Sequence, residues 1–370
     1  MKFQIDRSRL ITAATIAAKS AGQKAVNLIL ANVLITAKND KIQFVGTDLE
    51  GMIMLSVPAD VEREGATTVS AKLFVEMCAG LPSDSLFPVE VEATDSQLII
   101  GCDKVKFQLL TMDADDFPPV PVIDADYAEI NASELASSIK NAAIAASDEA
   151  GNPVQCSVVF DFAELPRVNA TDSRRLVSAD LPVGFELPES LKKMYIVPKK
   201  SAIEAAAMMA GVAKGKLGEF KQQLVFQVGD VTFITRLIGG RFPDVNKIIP
   251  KESDKQVKLN RKKMLQSLKT LLPIARNNDN VVAMKFGTED VELSSSNKDQ
   301  GSVETSIKPE EYTGEPIEIA FNLKYMQDFL SAVDDDNVVL KMTTPAYPGL
   351  FEAENVRYVV MPLSVAKREG

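Results

Sequence analysis

The 370-residue sequence contains no histidine, no tryptophan and only three cysteines. The missing imidazole removes His-based triads, the commonest general base and the favoured zinc ligand together. Cys78, Cys102 and Cys156 have no metal-ligand spacing and cannot all pair, so reduced, buried thiols are expected. No run approaches the roughly 20 apolar residues of a membrane span. The opening MKFQIDRSRL lacks the apolar stretch of a secretory signal, and a cytoplasmic location is the expectation. With only six tyrosines beside the absent tryptophan, nothing offers the aromatic interleaving of a single-strand binder. Neither a Walker loop nor a zinc-finger spacing is present. Among catalytic chemistries a carboxylate–metal phosphoesterase remains open, using Asp48, Asp172 and the run Asp334 to Asp336.

What the sequence does hold is repetition. An apolar residue, a capping residue and then a helical pattern recur at Ile5-Asp6 before Leu10, Ile130-Asn131 before Leu135 and Leu259-Asn260 before Leu265. The offsets from Asp6 to Asn131 and from Asn131 to Asn260 are 125 and 129 residues. Gly46-Thr47-Asp48 returns as Ala170-Thr171-Asp172 and more faintly as Ser295-Ser296-Asn297; Asp116-Phe117-Pro118 returns as Arg241-Phe242-Pro243. A unit of about 124 residues is large enough for its own core. Each unit reads as strand, helix, three strands, a second helix and further strands. Leu10, Ala13, Ala14, Ala17 and Ala18 form one apolar helical stripe, and Met264, Leu265, Leu268, Leu271 and Leu272 another. Asp6, Asn131, Ser70 and Asn322 are the expected helix caps. Alternation in segments such as Val89–Ala93 and short turns between strands predict largely antiparallel sheets.

The formal net charge of -10 argues against nucleic-acid binding if taken as a sum. The distribution says otherwise. Lys262, Gln266, Lys269 and Arg276 make a polar, mostly basic stripe opposite the leucines of one helix. Arg7, Arg9, Lys19, Lys72, Lys140, Lys199, Lys200 and Lys324 also fall on helices, while acidic residues gather in turns and connections. Each lysine alone reads as a solvated side chain; their recurrence in all three units predicts a positive face that attracts phosphates without reading bases.

Four segments in order carry a family resemblance: GTDLE at 46–50, ATDSRRL at 170–176, GRFPDV at 240–245 and YVVMPL at 358–363. Together they resemble the bacterial DNA polymerase III beta subunits, the sliding clamps, over the whole chain. The resemblance implies an α+β fold of three tandem clamp domains at 1–125, 126–253 and 254–370, each with two helices packed on antiparallel sheets. It implies a head-to-tail homodimer closing a six-domain ring, with helices lining a hole that encircles double-stranded DNA. No catalysis and no cofactor are implied. The partners implied are the replicative polymerase's catalytic subunit, a clamp loader, and other polymerases and repair proteins carrying a clamp-binding peptide. A non-ring, three-domain interaction scaffold is the alternative.

Carried over by position, the resemblance places Lys24, Lys199 and Lys200 at DNA; Lys72, Lys140, Lys262 and Lys269, on the basic helix faces, are the further expected contacts. A client-peptide pocket would be walled by Thr171, Arg175, Leu176, Pro243, Lys247, Ile248, Tyr325, Val359, Met361, Pro362 and Leu363. The bland reading keeps Leu176, Ile248 and Val359 as ordinary core. The dimer contact would use Phe107 and Leu109 on an edge strand against Ile274. Two departures stand out: Arg174 occupies a position where the family often has histidine, and the segment Pro153 to Ser157, read as a strand, lacks the family's arginine.

Overall fold

In the computed structural model, which describes residues 1–22, 27–149 and 151–363, the same succession of elements occurs three times. The first opens with strand Lys2–Ile5 and helix α1 (Arg7–Ala18), has five strands between Asn32 and Ser70, then α2 (Ala71–Ala79) and three strands ending at Met112. The second has Tyr127–Asn131, α3 (Ala132–Ala143), four strands, α4 (Lys199–Met209) and three more to Arg236. A single-turn α5 (Val245–Ile248) precedes the third, which has Lys255–Asn260, α6 (Arg261–Ala275), five strands, α7 (Leu323–Ala332) and three strands to Val360. The expected three strands between helices are therefore four or five. Two of the additional ones, Asp60–Arg63 and Glu311–Thr313, are short and mostly exposed, so no apolar alternation marks them.

The helices start where the sequence says. Asp6 accepts from the Arg9 backbone N–H at 3.1 Å, Asn260 from Lys263 at 3.1 Å, and Asn322 from Lys324 and Tyr325 at 3.0 and 3.3 Å. Each satisfies donors that the first helical turn leaves open. Ser70 differs: its side chain makes no cap hydrogen bond. Ala13, Ala14 and Ala17 are fully buried, and small side chains let α1 lie close on its sheet. A Cβ on Gly46 would stand 2.0 Å from the Ala17 carbonyl oxygen, so glycine is required there. The apolar stripes are narrower than expected, with Leu73, Ile203 and Leu272 exposed. Cys78 and Cys102 are buried, but Cys156 is half-exposed. Burial pushes the Cys78 thiol up to about 12.

The described chain forms two compact units. The first holds Met1–Ser133 and Ala207–Leu237, the second Glu134–Ala206 and the chain from Ile238 onward. The strands within each unit pair antiparallel, and the middle repeat is shared out between the units. In the first unit, Val231–Arg236 pairs with Gly51–Pro58, joining strands of the first and second repeats in one 13-stranded sheet. In the second unit, Arg175–Asp180 pairs with Val356–Val360, joining the second and third repeats in a nine-stranded sheet. On one face of that second sheet Asp161, Arg167, Asp180, Arg357, Glu352 and Lys341 alternate in sign, linked by pairs such as Arg357–Asp180 and Lys341–Glu352 at 2.6 Å.

Candidate functional site

The repeated Thr-Asp motif is a turn built from its own side chains. Thr47 donates its hydroxyl to the Gly51 carbonyl at 2.7 Å and accepts from Leu49, while Asp48 accepts from the N–H groups of Glu50 and Gly51. In the second repeat Thr171 bonds the Arg175 carbonyl at 2.7 Å and accepts from Ser173, and Asp172 accepts from Arg174 and Arg175. Leu49 and Ser173 both take left-handed backbone, with φ of 73° and 74°. Asp48 and Asp172 thus spend carboxylate oxygens on their own turns, they belong to different compact units, and among the described residues no group of three or more Cys, Asp or Glu side chains could hold a metal ion.

From this second turn the candidate pocket grows within one unit. The Arg175 side chain, 10% exposed, bonds Asp172 at 2.9 Å and Asp328 of α7 at 2.6 Å. Its guanidinium lies 4.2 Å from the centroid of the Tyr325 ring, a cation–π stack. Burial opposes that charge, but the Asp328 hydrogen bond and neighbouring groups outweigh it and the net shift is upward. Burial raises the Tyr325 and Tyr358 phenols. Tyr358 donates its hydroxyl to the Tyr325 carbonyl at 3.0 Å and stacks on Phe329 at 5.0 Å, fixing α7 to the last strand. Beyond that strand, the Met361 N–H donates to the Arg174 carbonyl at 2.9 Å and Leu363 to Ala320 at 2.8 Å.

The expected pocket residues separate into floor and surface. Leu176 and Val359 are 2% exposed and join Val159, Ile196, Phe242, Val245 and Leu350 in one apolar cluster, the floor, as the core reading expects. Thr171 is buried by its turn. Ile248 and Met361 are exposed at 38% and 44%, Pro243 and Lys247 are exposed, and Tyr325, Pro362 and Leu363 are half-buried. The segment 153–156, expected as a strand, is a turn. Its Val154 packs on the floor and its Gln155 amide donates to the Ser173 hydroxyl. Pro243 also lines a groove of about 520 Å³ with Asp161, Arg167, Met194 and Arg241, which sequence reasoning missed because its walls come from separated strands.

Of the candidate DNA contacts, Lys72, Lys140, Lys200, Lys262 and Lys269 are exposed. Lys200 lies 3.7 Å from Glu204 and Lys262 3.5 Å from Asp336. Gln266 and Arg276 are exposed as well, so the polar stripe of α6 faces solvent opposite buried Met264, Leu268 and Leu271. Lys199 is placed differently. Its ammonium bonds Asp148 at 2.6 Å and the Ala146 carbonyl at 2.9 Å, tying down the segment after α3. Lys24 lies outside the described residues.

For the dimer contact, strand Val105–Met112 pairs over residues 105–110 with Gln97–Cys102, and just its last two residues reach Gly65–Ser70. Its other edge is open over 105–110 among the described residues. Phe107 is half-buried, 3.6 Å from where a Gly80 Cβ would stand. Leu109 is 3% exposed and serves its own core, while Leu110 on the opposite face is 78% exposed. Ile274 is half-buried. A second open edge is Gly301–Ile307, which among the described residues pairs only with Val291–Asn297. Its polar alternation concealed it in the sequence.

Comparison with known proteins gives one result throughout. Domain models of the DNA polymerase III beta subunit match in order: the N-terminal domain at residues 1–121, the central at 129–244 and the C-terminal at 246–364. The "Beta sliding clamp" of Bacillus subtilis is 27% identical, covering 97% of this chain and 98% of the relative. That of Escherichia coli strain K12 is 28% identical, covering 98% and 100%. Among solved structures, the DNA polymerase sliding clamp from Bacillus subtilis matches with a TM-score of 0.90 and 26% identity, covering 99% and 100%. A sliding clamp from Bartonella birtlesii bound to griselimycin matches with a TM-score of 0.91 and 26% identity over the same shares.

Proposed function

This chain belongs to the DNA polymerase III beta subunit family, and we propose that it works as a sliding clamp, a non-catalytic ring that holds a polymerase and other clients on duplex DNA. The observation that carries the reading is the threefold unit, matched domain by domain in order over almost the whole chain. Its domains follow the repeats, at 1–125, 126–253 and 254–370. Two copies join head to tail, the open edge at Val105–Leu110 of one against the open edge at Gly301–Ile307 of the other, so that neither is left bare. Lys106 on the first edge, with Lys104 in the turn before it, and Glu304 on the second favour that pairing.

Encirclement makes tight binding unnecessary. The inner surface needs only mobile phosphate contacts, and strong ones would stall sliding. Lysine suits this task because its ammonium is a point charge on a flexible stem, without the bidentate geometry of arginine. Lys72, Lys140, Lys200, Lys262 and Lys269 supply such contacts, and Lys24 is carried over from the family. The negative remainder of the molecule discourages DNA from binding elsewhere. Clients, among them the replicative polymerase's catalytic subunit, the clamp loader and repair proteins, dock through a short peptide at the apolar surface of Ile248, Pro243, Met361 and Leu363, over the floor of Leu176 and Val359. Methionine there lets one site repack around different clients. The bacterial cytoplasm is the place of action.

The test is topological. Loaded by a clamp loader, the protein is expected to remain on closed circular DNA and to be lost within minutes once the circle is cut. Equal loss from circles and linear fragments would favour the scaffold reading instead.

A further inference from the structure

Both walls of the proposed client pocket are tied to a single hairpin by two largely buried arginines. Arg167 opens the strand Arg167–Thr171 and Arg175 opens the next, Arg175–Asp180. The Arg175 guanidinium bonds Asp172 of its own turn and reaches Asp328 on α7 at 2.6 Å. The Arg167 guanidinium bonds Asp161 at 3.2 Å and reaches the Asn246 side-chain oxygen at 2.9 Å. The two arginine side chains are 10% and 12% exposed. Asp328 lies one turn beyond Tyr325 on α7, and Asn246 lies in the helical turn that ends with Lys247 and Ile248. A planar guanidinium presents donors in a fixed fork, so Arg175 satisfies a group of its own turn and Arg167 a group on the neighbouring strand Ser157–Asp161, each together with one wall group.

We infer that Asp328 and Asn246 are positioning residues that preset the pocket through Arg175 and Arg167. Asp328 keeps the Arg175 guanidinium under the Tyr325 ring, which sets the rim on the α7 side. Asn246 holds the α5 turn at the distance from the hairpin that leaves Ile248 turned outward. Walls held in the binding geometry spare a client the cost of ordering them. Loss of Asp328 leaves the largely buried Arg175 guanidinium with an unmet donor, and loss of Asn246 releases the α5 turn from Arg167, so that each wall reorganises. The inference rests on the pocket being the client site.

The experiment measures binding of a fluorescent peptide with leucine and phenylalanine anchors to the full-length chain, by polarisation and by dissociation rate. Asp328→Ala and Asn246→Ala are each expected to weaken binding about tenfold, a single charged-group hydrogen bond's worth, mainly through faster dissociation. Arg175→Ala combined with Asp328→Ala should bind no more weakly than Arg175→Ala alone, because one interaction is removed twice. Met361→Ala with Leu363→Ala is the control that abolishes binding while the dimer persists. Should Asp328→Ala melt early, Asp328→Asn replaces it in the cycle, with a loss of about threefold. Wild-type affinity in the Asp328 and Asn246 variants, or losses that add in the double variant, overturns the positioning roles and leaves the pocket standing. A wild-type chain that ignores the peptide overturns the pocket, and these roles with it.

Discussion

A single hydrogen atom decides whether α1 reaches its sheet. Gly46 faces the Ala17 carbonyl across a gap in which a methyl group would stand 2.0 Å from oxygen, and a backbone atom cannot swing aside as a side-chain end can. Gly46→Ala should therefore destabilise the chain by roughly 1–3 kcal/mol or more, read as a lower urea midpoint at unchanged slope. A midpoint equal to that of the wild type would show that the helix shifts freely. The alanine stripe of α1 was legible because it repeats at helical spacing. The demand for glycine was not, since spacing along a chain does not reveal what crosses it. Likewise Thr171 and Asp172 were legible as a motif, while their work as a self-capping turn required the Arg175 carbonyl and N–H in place. The half-exposed Cys156 was missed because residues 153–156 form a turn rather than a strand.

Helices were the most readable elements, and α6 shows both why and where reading stopped. Its leucines and basic residues alternate with a period near 3.6, and the structure buries the first set and exposes the second. The double substitution Lys262→Glu plus Lys269→Glu should weaken association with duplex DNA several-fold. It should also lower the magnitude of the salt slope by about 0.9 for each lysine that had neutralised a phosphate. A salt titration checks both, and an unchanged slope would remove α6 from the DNA surface. Lys199 could not be sorted from Lys200 by sequence, because its partner Asp148 lies 51 positions away in another connection. The same holds for Asp328, which meets Arg175 across 153 positions. The short strands at Asp60–Arg63 and Glu311–Thr313 were hidden for a local reason: mostly exposed, they bury little that would impose an alternating pattern.

At the scale of the whole molecule, the threefold repeat and the antiparallel α+β class were legible, because both are written in patterns that recur along the chain about every 124 residues or less. That strands of neighbouring repeats share sheets was not, since pairing between Gly51–Pro58 and Val231–Arg236 leaves no mark on either segment. Among the described residues, the edges at Val105–Leu110 and Gly301–Ile307 remain open. Sedimentation equilibrium at micromolar concentration should return twice the chain's 40.2 kDa, and a single 40.2 kDa species would refute the head-to-tail pairing.

The shared sheets also bear on how such an assembly is breached. Where Arg175–Asp180 meets Val356–Val360, and where Gly51–Pro58 meets Val231–Arg236, consecutive repeats are stitched by ladders of main-chain hydrogen bonds five residues long. Parting a ladder of that kind means unzipping it rung by rung inside a folded core. Repeats within a chain are joined by the covalent backbone as well, whereas two chains would meet through their strand edges alone. A loop assembled from two such chains would therefore give way first at the joints between them, and any machine that threads it onto DNA would pry there.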